Sequence, residues 1–221
     1  MKIQPNRPGR HWHRHPYGQS VRIAEHFYVP IPKSASTWCK QIWAEGRPFD
    51  FLAGEHDLDA VVILRDPVER WIAGFAQCQV GNDPNWEGHW EKLGWDWVFD
   101  TVVFDNHTEP QVSFLAGIDV DRTTWFRMDD HLTVHMLSWM QTNLGQDRSQ
   151  VTADRYAGHE QPARVFRDGM RGRSQAEIAD MARRALVTMP GAADRIREFY
   201  KEDLDLYHTV DYYQGGRACG T

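Results

Sequence analysis

Residues 59–75 read DAVVILRDPVERWIAGF, and this stretch decides the fold. Ala60–Leu64 is an unbroken apolar run of strand length, as expected of a strand buried on both faces of a sheet. Arg65 and Asp66 interrupt it. Pro67 suits the first position of a helix, where its missing N–H costs nothing. Val68, Trp71, Ile72 and Phe75 then fall at helical spacing. The order is strand, tight turn, helix.

Working outward, the same order occurs upstream. HFYVPIP (26–32) has strand composition and ends in prolines that stop it. SASTWCKQIWAEG (34–46) reads as a loop entering a helix with Trp38, Ile42 and Trp43 on its apolar face and Gly46 at its end. Two such units predict a single α/β domain, a central parallel sheet flanked by helices, P-loop-like in the manner of nucleotide kinases. Downstream, residues 81–97 are a loop that becomes helical near Trp90, and TTWFRM (123–128) is a short strand. DDHLTVHMLSWMQTNLG (129–145) is a helix burying Leu132, Met136, Trp139 and Met140, stopped by Gly145. Residues 146–173 form a polar, Arg-rich excursion. Ser174 and Glu177 make a capping box for a helix that Pro190 ends, and a last helix near 192–207 carries Ile196, Phe199, Tyr200, Leu204 and Tyr207. The domain spans 21–214, between an N-terminal arm (1–20) and a loose tail (215–221).

Of 221 residues, 41% are apolar and 25% charged, an ordinary globular balance that argues against disorder. The net charge of −6 and the lack of a long basic run speak against nucleic acid as a partner. Cys39, Cys78 and Cys219 show no CxxC spacing, so neither a disulfide framework nor a structural zinc site is expected, and no metal is assigned. His11, His13 and His15 alternate in the arm, which reads as a solvated arm or lid rather than a metal cluster. No signal peptide and no apolar run of membrane-spanning length is seen, so the expectation is a soluble, cytoplasmic protein with no membrane partner. Nothing in the sequence sets an oligomeric state.

Two segments carry chemistry. Pro32-Lys33-Ser34-Ala35-Ser36-Thr37-Trp38 lies between a strand and a helix, where backbone N–H groups and the helix dipole favour an anion. Its small residues admit a phosphate to the backbone, Lys33 adds charge, and Ser36 and Thr37 add hydroxyl donors. Walker A spacing is absent, and a plain Ser/Thr-rich helix cap accounts for the same residues. Arg65-Asp66-Pro67-Val68-Glu69-Arg70 follows a strand at the end where open α/β sheets bind ligands. The Arg65 guanidinium can grip a phosphate with two hydrogen bonds, or it can simply pair with Asp66 at the helix start.

Together, PKSASTW and RDPVERWIAGF resemble the two nucleotide-binding signatures of the sulfotransferases that use 3′-phosphoadenosine 5′-phosphosulfate (PAPS). FDNHTEPQVSFLAGID (104–119) looks like the His-x-x-Pro-Gln region of the carbohydrate sulfotransferases, and FYKEDLDLY (199–207) is similar to their closing helix. The resemblance implies PAPS as donor, 3′-phosphoadenosine 5′-phosphate (PAP) as product, no metal, and a hydroxyl acceptor, a carbohydrate in the first instance. It implies that Lys33, Ser34, Ala35, Ser36, Thr37 and Trp38 form the 5′-phosphosulfate loop, with Lys33 on the bridging oxygen. Arg65, Arg70 and the position of Ala73 would hold the 3′-phosphate. The family commonly has Ser where this chain has Ala73; Ser36, Arg70 and Arg164, Arg167, Arg171 and Arg173 are candidates to substitute.

The acceptor hydroxyl must lose its proton to a base. His107 is the first candidate, with His56 and Glu55 as rivals, and Glu45 and Asp57 lie in the same window as those two. Trp86 and Trp90, near His89 and Glu91, would face a sugar ring, with Trp95 and Trp97 as core. Gln111 would bond a hydroxyl-rich acceptor or fix its own loop. Two alternatives stay open: a non-catalytic nucleotide- or glycan-binding relative, and a P-loop-type small-molecule kinase, which would require Mg²⁺.

Overall fold

The computed structural model describes residues 1–4, 20–36, 38–39, 47–49, 57–80, 89–145 and 173–214. Five strands form one sheet: β1 (Ser20–Ile23), β2 (His26–Val29), β3 (Arg47–Phe49), β4 (Asp59–Leu64) and β5 (Thr123–Arg127), in the order β3-β1-β2-β4-β5. β2, β4 and β5 are parallel, with Val29 opposite Val62 and Leu64 opposite Arg127. β1 runs antiparallel to both β2 and β3. The sheet is therefore mixed, which corrects the expectation of a parallel one. The parallel part is the part the two strand–turn–helix readings covered. β1 returns through a tight hairpin in which Ala24 takes a left-handed φ of 49°.

Six α-helices are described over their full length: α1 (Pro67–Val80), α2 (His89–Thr101), α3 (Leu132–Leu144), α4 (Gln175–Thr188), α5 (Ala192–Phe199) and α6 (Lys201–Thr209); residues 36, 38 and 39 are helical too, and Gln111–Leu115 and Val120–Arg122 are 3-10 turns. α1 begins at Pro67 as its sequence dictates, and Asp66 caps it by accepting from the Glu69 N–H at 2.9 Å. α3 ends on Gly145, whose φ of 62° is left-handed. The Ser174/Glu177 capping box starts α4. The last helix is two: Tyr200 (φ −96°, ψ 23°) breaks it between α5 and α6.

Three apolar clusters hold these layers together. One face of the sheet (Tyr28, Val61, Ile63, Phe126) packs on Trp38 and α3. The other (Phe27, Val29, Val62, Leu64) packs on Phe114, Leu115 and Tyr212. α1 joins α2, α4 and α5 in a third cluster around Trp71, Phe75, Phe99 and Tyr200. Alternate residues of β2 and β4 thus feed opposite faces, as a strand covered on both sides requires. The start of the chain is part of this body. Lys2 bridges Asp119, and Ile3 exchanges backbone hydrogen bonds with Ile118 and Gly117. Among the described residues no helix is long and apolar enough to cross a membrane. Of the expected arm, residues 5–19, with the three alternating histidines, lie outside the described residues, as does the tail.

Candidate functional site

Because β2 and β4 are parallel neighbours, their carboxyl ends open on the same edge of the sheet. There the turns after them, Pro32–Ala35 and Arg65–Asp66, touch. Arg65 donates from its guanidinium to the Lys33 carbonyl at 3.3 Å. Gln111 locks the pair: its Oε1 accepts from the Arg65 N–H (3.0 Å) and from the Ser34 hydroxyl (3.2 Å), and its Nε2 donates to the Arg65 carbonyl (2.8 Å). The Gln111 and Val112 N–H groups donate in turn to the buried carboxylate of Asp203 in α6, at 2.6 and 2.9 Å. Burial pushes the Asp203 carboxyl up to about 6.

The first turn has an uncommon backbone. Lys33 and Ala35 both have positive φ, 65° and 57°, although neither is glycine. Such residues cost on the order of 1–2 kcal/mol each. Within this turn the Ser34 N–H is spent on the Ile31 carbonyl at 3.1 Å. The Lys33 ammonium donates to Gln77 Oε1 of α1 at 2.9 Å. Its pKa falls to about 8, first because of burial and then because of the Arg65 charge. Two partly buried cations held side by side create a field that an anion would relieve.

The base candidate lies on the same side. Lys33 also senses the negative charge of Asp105, two residues before His107. Asp105 Oδ2 and His107 Nδ1 are 2.7 Å apart, and the His107 N–H donates to Asp105 Oδ1 at 2.8 Å. Burial raises the Asp105 carboxyl, but the His107 ring and Cys78 outweigh it and hold the carboxyl below its ordinary value. An ionised Asp105 only accepts, so Nδ1 of a neutral His107 carries the ring proton and Nε2 keeps its lone pair. Thr108 fixes the turn: its hydroxyl accepts from Phe104 and Asp105 N–H groups, and its carbonyl accepts from the buried Tyr200 hydroxyl. Gly74 of α1 backs it so closely that an added Cβ would stand 2.2 Å from the His107 carbonyl oxygen.

Several expected roles are corrected. Arg70 is fully buried; it donates to the carbonyls of Pro32 (2.9 Å), Asn106 (3.3 Å) and Glu109, so it braces the site from within and meets no phosphate. Ser34 is buried, with its hydroxyl on Gln111 and its N–H on the Ile31 carbonyl. Ala35 and Trp38 put their side chains into the core. Trp90 is core as well, packed against Phe75 and Trp95, with Arg173 over its ring. Arg173 also pairs with Glu91 at 3.4 Å. Gln111 is a loop-fixing amide. Asp57 pairs with Arg122 before β4, at the opposite end of the strand from Arg65. Ser36 remains half-buried at the head of the helix after the first turn. The Ala73 carbonyl accepts from Gln175 at the start of α4. Thr37, Glu45, Glu55, His56, Trp86, Arg164, Arg167 and Arg171, and the His89 side chain, lie outside the described residues.

The sequence reading missed Arg127, a third cation on the same edge. It ends β5 exposed, with its guanidinium over the rings of Tyr207 (5.0 Å) and Tyr212 (4.5 Å). Position alone marks it, at the last residue of a parallel strand. A groove of about 590 Å³ lined by Trp95, Arg173, Glu177, Arg184 and Met189 includes none of Lys33, Arg65, His107 and Arg127.

No family model matches the chain, and no curated protein or solved structure matches it either.

Proposed function

We propose that the chain is a sulfotransferase that moves a sulfuryl group from PAPS to a hydroxyl acceptor, a carbohydrate in the first instance. The observation that carries this reading is the meeting of the Lys33 and Arg65 turns at the carboxyl ends of adjoining parallel strands, with Arg65 against the Lys33 carbonyl and Gln111 clamping both. A nucleotide bearing phosphates at its 3′ and 5′ ends is an anion such a pair of turns suits. Lys33 serves the bridging oxygen of the phosphosulfate, where charge grows as the sulfur–oxygen bond breaks. The Lys33 loop takes the 5′-phosphate, as its likeness to the family's loop implies, and Arg65 takes the 3′-phosphate. His107 Nε2 accepts the proton of the acceptor hydroxyl as its oxygen bonds to sulfur, and Asp105 steadies the imidazolium that results. PAP and the sulfate ester leave. The carbohydrate assignment rests on the likeness of His107-Thr108-Glu109-Pro110-Gln111 to the carbohydrate enzymes.

Thermal unfolding with PAP against ATP plus Mg²⁺ tests the nucleotide. Saturating PAP without metal should stabilise the fold, by about 2.7 kcal/mol at a hundredfold excess over Kd. Stabilisation by ATP–Mg²⁺ alone would instead indicate a kinase. Labelled PAPS with a panel of sugar, phenol and tyrosine-peptide acceptors tests the reaction. PAP binding with no transfer to any acceptor would leave a non-catalytic binding module, the reading that Ala73 favours.

A further inference from the structure

Cys78, Asp105 and His107 form a cluster to which no step above gives a joint role. One donor atom from each, the Cys78 sulfur, an Asp105 oxygen and a His107 ring nitrogen, lie within 4.8 Å of one another. They come from two elements: Cys78 from the buried face of α1, Asp105 and His107 from the turn that Gly74 and Thr108 hold against that helix. Cys78 is 3% exposed. The Asp105 and His107 side chains are 29% and 34% exposed, so the cluster is closed on the sulfur side and reaches water on the other.

The donor types narrow the occupant. A thiolate selects soft or borderline cations and disfavours Mg²⁺ and Ca²⁺, which prefer all-oxygen cages. Imidazole and carboxylate beside it complete a set of the kind that holds zinc with three protein ligands and one position left for water or another ligand. The two elements are already braced together, so little chain entropy remains to be lost on closing the set around an ion.

We propose that Cys78, Asp105 and His107 form a site for a thiophilic divalent cation of the zinc type, with its remaining coordination position open to solvent. Binding releases the thiol proton and replaces the hydrogen bond between Asp105 and His107; ligation through Nδ1 shifts the ring proton to Nε2, and ligation through Nε2 uses the lone pair already there. The site is independent of the sulfotransferase reading. If that reading holds, the same ion occupies the proton acceptor and acts as an inhibitor, with no place in the transfer step.

Cobalt(II) is the probe, titrated into the chelator-treated full chain carrying alanine at His11, His13 and His15 and serine at Cys219, so that arm and tail ligands are removed. The expected result is one equivalent bound, with the visible bands of four-coordinate Co²⁺ and a near-ultraviolet thiolate-to-cobalt band, both abolished by added Zn²⁺. Cys78→Ser should remove the thiolate band. His107→Ala, at a part-exposed ring that does not threaten the core, should weaken Co²⁺ at least about tenfold. No thiolate band in the parent, or unchanged Co²⁺ affinity in His107→Ala, would overturn the proposal. The measurement involves neither PAPS nor turnover, so failure of the cation site and failure of the transferase reading are distinguished.

Discussion

Lys33 concentrates the electrostatics of the site. A lysine whose pKa is lowered to about 8 is disfavoured as a cation by the fold and recovers that cost when an anion arrives. Lowering works against stability at neutral pH. The penalty is absent above the unfolded-state value near 10.5, builds as pH falls from there toward 8 while only the unfolded chain takes up the proton, and is complete and constant below 8. Nucleotide binding has the opposite slope: PAP affinity should be steady below pH 8 and weaken as pH rises above it. In Lys33→Arg this ionisation should vanish from the titration of Kd against pH. Lys33→Ala should cut kcat far more than PAP affinity; an equal loss in both would place Lys33 in ground-state binding only. Arg70 is a different case. With its donors spent on three carbonyls inside the protein, Arg70→Met leaves those acceptors buried and unpaired. Chemical denaturation should show a loss of about 3 kcal/mol or more, with no selective effect on PAP affinity in the folded fraction.

At the scale of elements, contacts between α1 and the turn at 105–108 govern the placement of His107, the proposed base. Gly74→Ala puts a methyl group into the His107 carbonyl, and neither partner can yield without moving a backbone. Turnover should collapse and melting temperature fall, while Ala73→Ser, one residue away, should tighten PAP, about tenfold if the new hydroxyl reaches a charged phosphate. Competition binding with PAP checks the second variant and thermal melts the first. The strand–turn–helix units were legible because β4 is a continuous apolar run and α1 has clean helical spacing behind Pro67. The β1–β2 hairpin was not, since its turn is Ala24-Glu25 and lacks the Asn-Gly or Asp-Gly that ordinarily marks two-residue hairpins. β3 hides for a related reason: three residues including Pro48 carry almost no strand signal, and proline fits there only because it is at an edge.

Across the whole molecule, what the sequence could not reveal is which polar residues the fold would bury. Motif positions such as Ser34, Ala35 and Arg70 read as ligands because they stand beside Lys33 and Arg65 in the chain, yet packing turned them inward. Contacts that define the site link Lys33 to Gln77 and Arg65 to Gln111, across 44 and 46 positions, and no local pattern reports such pairings. The same holds for the nearness of Cys78 to His107. Asp203 reaches the site from 92 positions away. As a carboxyl raised to about 6, it favours the fold most when protonated, and that contribution fades as pH rises from near 4 through 6. Asp203→Asn should flatten that part of the stability–pH curve. It should also cost about 1–2 kcal/mol, since an amide offers one acceptor where two backbone N–H groups need partners. Denaturant melts at pH 4.5 and 7 check both effects.

That last attachment has a bearing on biosynthesis. The loop at 111–112 is made early, but the group it leans on is 92 positions later for Gln111 and 91 for Val112. A nascent chain can therefore lay down the sheet and the motif turns well before the loop that clamps those turns is anchored. Ribosome-bound intermediates arrested ahead of residue 203 should acquire protease resistance in the strands while failing to retain nucleotide. Anchoring of that loop is thereby coupled to synthesis of nearly all of the described chain.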